Sequence, residues 1–125
     1  MKTTTSLLAA LLLAAASGSA LAARDDLDVS RLDAALNQLA NDPTLGSYAQ
    51  AEQARARDAV SRLAQARSHD RAHALYIAER RVDLAKAAAQ YQDAQSQLAK
   101  LDREHDQILL DASRRDAENA RRELE

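Results

Sequence analysis

An all-α fold is predicted: two short helices packed on one long C-terminal helix, an elongated antiparallel helical hairpin or bundle with a coiled-coil-like extension. Three observations carry this expectation. From Ser47 to Glu125 the 79 residues include no glycine and no proline, and Ala, Leu, Arg, Gln, Asp and Glu fill most positions. The two residues that break helices most cheaply are therefore missing where a helix would be interrupted. Apolar residues recur at spacings of three and four, the signature of a helix with one buried stripe. Finally, 30 of the 125 residues are alanine and the only aromatics are three tyrosines. Alanine buries little apolar area, so stability must accumulate along length instead of in a thick core.

The elements follow in order. Residues 1–22 read as a secretory signal: Lys2 gives a positive start, Leu7 to Ala16 is an apolar run, and Ala20-Leu21-Ala22 is a small-x-small cleavage site. That run is too short for the ~20 residues a membrane span needs. The mature protein is expected to begin at Ala23, to be exported and soluble, and to reside in the periplasm of a cell with two membranes. Residues 23–27 look like a loose leader. Val29, Leu32, Leu36 and Leu39 then share one stripe of a short helix, with Asp28 as a candidate cap. This helix should end near Asn41, where Asn41-Asp42-Pro43-Thr44-Leu45-Gly46 combines a proline stop with a turn glycine.

A second helix is expected from about Ser47, a good cap residue with Gln50 three positions on, burying Ala56, Ala59, Val60, Leu63 and Ala66. Ser68-His69-Asp70 is the only later cluster that resembles a turn, and a break is expected there; the alternative is one unbroken helix from Ser47 onward. The third helix then runs from about Asp70 to about Leu124. Its early part places Leu75, Ala78, Val82, Ala85 and Ala89 on one stripe. Further on, Tyr91, Ala94, Leu98, Leu101, His105, Ile108 and Ala112 fall at spacings of 3-4-3-4-3-4, a heptad seam out of phase with that stripe and containing one polar position. The Ala-rich helical domain thus covers residues 23–112, and Ser113 to Glu125, with eight charges, forms a charged helical tail.

Composition excludes several function classes. There is no cysteine, which removes disulfides, thiolate metal sites and thiol nucleophiles, together with the thiol on which bacterial lipoproteins carry their lipid anchor. Without the signal, 16 basic and 19 acidic side chains remain, a net charge of −3. Neither a nucleic acid nor a polybasic membrane contact is served by such a balance.

Two segments carry a family resemblance. The first is Asp42-Pro43-Thr44-Leu45-Gly46-Ser47-Tyr48-Ala49, followed by Glu52 and Ala54-Arg55. The second places His73, Tyr76, Ala78, Arg81, Val82 and Ala85 in a His-x-x-Tyr-x-Ala-x-x-Arg-Val-x-x-Ala pattern. Together they resemble a bacterial envelope family catalogued as domain of unknown function 4398. The resemblance covers about residues 28 to 112 and implies an exported helical region often found ahead of an OmpA-like, peptidoglycan-binding domain. This sequence stops inside a charged helix, so the resemblance gives no residue here a peptidoglycan-binding role, and it implies no established activity.

Candidate chemistry is sparse. His69 and His73 stand four apart in His-Asp-Arg-Ala-His, a spacing at which two imidazoles on one helix face can share a zinc ion. The shorter Asp replaces the glutamate of the metalloprotease motif and no third ligand follows, so no metal or other cofactor is expected. His105, at the polar position of the seam, reads as a residue that sets register or oligomeric state. Tyr76 is expected to cap the hydrophobic layer with its hydroxyl outward. Long helices supply neither the rigid turn nor the oxyanion site that a nucleophilic triad needs. The sequence therefore predicts a non-enzymatic envelope scaffold or interaction protein, acting as a homo-oligomer or on another envelope protein. Alternatives are a small periplasmic chaperone or stress-response protein and, more weakly, metal binding through His69 and His73.

Overall fold

The computed structural model describes residues 26–125, and the signal segment at 1–22 and the start of the leader at 23–25 lie outside the described residues. Three helices and no strand are present among the described residues: α1 (described over 26–40), α2 (Gln50–Gln65) and α3 (Arg71–Leu124). The 54 residues of α3 make a rod of about 80 Å. Arg31 Nη2 of α1 donates to Glu79 Oε1 of α3 at 2.6 Å, and the backbone N–H of Ala49, at the start of α2, donates to Gln92 Oε1 at 2.8 Å. With Leu39 further along α1 lying beside Lys86 and Gln90, and Leu63 at the far end of α2 beside Arg71, α1 runs parallel and α2 antiparallel to α3. No helix among the described residues is long and apolar enough to cross a membrane.

The core forms where the three expected stripes meet. Leu32, Leu36 and Leu39 of α1, Ala56, Ala59, Val60 and Leu63 of α2, and Ala78, Val82, Ala85 and Ala89 of α3 are all buried, with Val29 and Leu75 packed partly buried against them. Alanines on α2 and α3 let the helix axes approach closely, and the leucines of α1 fill the space that remains.

The expected break is present. Residues 66–70 are non-helical, and Leu63 O, near the end of α2, accepts from the backbone N–H of Ala66 and from Arg71 Nη1, both at 3.2 Å. Ala66, expected on the buried side of α2, lies just beyond the helix and is only partly buried.

Three boundary expectations are corrected. Asp26 and Leu27 belong to α1 and are not part of a loose leader; Asp28 lies inside the helix, where it pairs with Arg31 at 3.6 Å, and does not cap it. Ser47 does not cap α2 either. The Asp42 carboxylate claims the turn first: its Oδ1 accepts from the backbone N–H groups of Thr44 and Leu45, both at 2.8 Å. Those two donors hold the Asp42 carboxyl below its ordinary range, Leu45 more than Thr44.

Gly46 N–H then closes on Asp42 O at 2.9 Å, and a Cβ at Gly46 would stand 2.7 Å from that oxygen, so the turn requires glycine for close approach. The extra turn residues delay α2 to Gln50. Ala49 occupies the cap position in a left-handed conformation, φ 51°, with no side-chain cap. Gln53 compensates: it is 1% exposed, and its amide donates to Tyr48 O at 2.9 Å and to Gly46 O at 3.3 Å.

Candidate interaction surface

The core ends abruptly along α3. Ala89 is the last buried residue, and from Asp93 to Leu124 only Asp93 and Asp111 are even partly covered. About 48 Å of helix therefore projects beyond α1 and α2. Every residue of the heptad seam, Tyr91, Ala94, Leu98, Leu101, His105, Ile108 and Ala112, is exposed. Leu98 is 59% exposed, Leu101 60% and Ile108 66%.

Helical geometry explains why the chain does not cover this seam. At 100° per residue, the mean direction of the seam lies about 160° around α3 from that of Ala78, Val82, Ala85 and Ala89. The seam occupies the reverse of the rod, so even longer versions of α1 and α2 would run along the wrong side. Leu84 (47% exposed) and the small Ala87 prolong the same reverse face back toward the core region. Leu109 is also exposed beside the seam, whereas Leu124, in the charged tail, stands alone at the tip.

The charges around the seam are unevenly placed. Gln90, Gln95 and Gln97 flank its first half, and Asp102, Glu104 and Asp111 flank its second half. Lys100 and Arg103 project from the opposite side of the helix; Lys100 reaches Glu104 only at 3.8 Å. Between Gln90 and Ser113 the seam half of the helix carries no Lys or Arg.

The remaining sequence candidates are dispersed. His69 lies in the 66–70 turn, exposed, with Nε2 3.0 Å from Asp70 Oδ2, while His73 stands on α3. The pair therefore lacks the shared helix face that zinc ligation at this spacing requires. No group of three or more metal-ligating side chains occurs among the described residues.

Of the family-like motif, Ala78, Val82 and Ala85 are core residues. His73 and Arg81 line a shallow cleft of about 350 Å³ between α2 and α3, together with Arg55, Asp58, Arg62 and Ile77. Arg55 and Arg62 are engaged there by Glu52 at 3.1 Å and Asp58 at 2.9 Å. Tyr76 does not cap the hydrophobic layer: it is 59% exposed, with the Arg80 guanidinium 5.8 Å above its ring. The motif is thus spread over three sides of α3 and builds no single pocket.

Sequence reasoning missed Gln53 and Gln92, which tie the α1–α2 turn to the helices. A polar side chain within a predicted buried stripe was the available signal for Gln53; nothing local marks Gln92. No protein-family model, curated protein or solved structure matches this chain.

Proposed function

We propose that this protein is a non-enzymatic interaction module of the bacterial cell envelope that docks through the reverse face of α3. Export rests on the signal-like segment at residues 1–22, and the envelope setting rests on the family resemblance given above. The observation that carries the docking role is the exposure of the entire seam. Leaving a Leu or Ile side chain in water forgoes about 1.5–3 kcal/mol relative to full burial. Leu98, Leu101 and Ile108 repeat that loss along one line, and a second helix laid on the line would recover it.

Substituting Leu101→Asp together with Ile108→Asp tests this reading. In native envelope extracts the parent chain is expected to crosslink into adducts larger than itself, and the double variant is expected to give none while keeping the helical signal and melting behaviour of its α1–α2–α3 core. Unchanged adducts in the double variant would remove the seam from the interface.

A further inference from the structure

The docking role leaves the occupant of the seam open, and the flanking side chains select one. Resting on that role, we propose that the occupant is a second copy of this chain, its α3 antiparallel to the first, in the register where facing seam residues have numbers that sum to 199.

Three glutamines flank one half of the seam and three carboxylates the other. An antiparallel copy lays one half against the other. In this register Gln97 faces Glu104 of the second copy, Gln95 faces Asp102 and Gln90 faces Asp111, and the two-fold axis makes each contact twice. Each is an amide donor against a carboxylate acceptor. Gln97 already gives one N–H to Asp93 at 2.6 Å and Gln95 gives one to the Tyr91 hydroxyl at 2.8 Å, and each has a second N–H to offer.

The apolar layers agree with the same register. Leu98 packs on Leu101 of the second copy, Tyr91 on Ile108, and Ala87 on Ala112. The imidazole of His105 meets the small Ala94, which leaves it room that a second imidazole would not. Leu109 lies over Ala88. Toward the ends, the aliphatic stem of Arg115 covers Leu84. Arg81, which makes no ion pair among the described residues, faces Asp116. The overlap from Arg81 to Asp116 is about 54 Å, or roughly five heptads, where a coiled coil needs about three or four. The buried stripe of α3 points about 160° away from the seam, and where the overlap reaches the core the second helix runs between the α2 side, bordered by Arg81, and the α1 side, bordered by Gln90.

Competing arrangements set like charges together. Moving the antiparallel register one heptad toward the C-terminus puts Asp102 on Asp102 and Glu104 on Glu104; moving it one heptad the other way replaces the amide–carboxylate contacts of Gln95 and Gln97 by Gln95 on Gln95 and Gln97 on Gln97 and sets Asp83 on Asp111. A parallel pair in register puts Asp111 beside Asp116 and stacks His105 on His105. In the proposed register the one like-charge pair, Asp83 facing Glu118, falls at the end of the overlap, and Arg80 already holds Asp83 at 3.0 Å.

The chain has no cysteine, so introduced thiols report on the register directly. Ala94→Cys and His105→Cys variants, purified separately and oxidised as a mixture, should crosslink to each other, and neither should crosslink when alone. Self-crosslinking of His105→Cys alone would establish parallel pairing and overturn the proposal. Crosslinking of Ala94→Cys to Ala112→Cys in its place would establish the slipped register and overturn it equally.

Opposite Glu104, Gln97→Lys should tighten the purified dimer about fivefold and Gln97→Glu should loosen it by a similar factor. A purified chain that sediments as a single copy at every concentration would overturn self-pairing, while seam-dependent adducts in native extracts would still uphold docking. Adducts that persist in the Leu101→Asp, Ile108→Asp variant would defeat the docking role itself.

Discussion

Between Ala78 and Ala89, α3 buries four residues against α1 and α2, whereas between Asp93 and Leu124 the same helix buries none. The side chains differ as the environments do. Toward its own chain α3 presents Ala78, Val82, Ala85 and Ala89, small groups that admit close helix contact. Away from it stand Leu98, Leu101 and Ile108, larger groups that a helix with no partner would not need. The first region is finished by the chain alone. The second has the pattern of an interface without its other half.

The largest expected effect separates the two regions. Leu63→Ala, at a position 0% exposed, should destabilise the helical core by about 2–5 kcal/mol in denaturant unfolding. Leu101→Ala, in dilute protein where each chain stands alone, should change the same curve by less than about 0.5 kcal/mol. Equal costs at the two positions would erase the distinction. The turn that closes the core comes next: Gly46→Ala drives a methyl toward the backbone oxygens of Ala40 and Asp42 and should cost about 1–3 kcal/mol. Gln92→Ala leaves the Ala49 N–H without its acceptor, for an expected loss of about 1 kcal/mol, read in the same unfolding experiment.

Much of this division was legible in the sequence, because helix packing writes itself as spacing. The stripes of α1, α2 and early α3 and the phase change before the seam follow from periodicity, and the break between α2 and α3 from the turn-forming residues Ser68-His69-Asp70. The start of α2 was not legible. Ser47 is a favourable cap by residue type, yet Asp42 captures the turn from five residues upstream, and such competition between two local hydrogen-bonding residues is settled by the tertiary position of the loop. Gln53 was hidden for a related reason: its burial depends on carbonyls of a loop whose path no spacing rule gives. Tyr76 went astray because Arg80, one turn later, offers its ring an exposed cationic partner.

The smallest effect is the acid response of that loop. The Asp42 carboxyl titrates below its ordinary value in the folded protein. Its contribution to stability is therefore present above the unfolded value and is lost as pH falls through the folded one. Asp42→Ala should remove this acid-side step from a plot of stability against pH while leaving the neutral-to-basic side parallel to the parent. A step of the same size in the variant would place its origin elsewhere.

Whether the reverse of α3 is covered in the cell is read by a photoactivatable crosslinking side chain placed at Leu101 or, as its control on the opposite side of the same turn, at Arg103 in the protein within intact cells. A discrete adduct should form from position 101 and none from position 103. No adduct from 101, or the same adduct from both, would contradict coverage there.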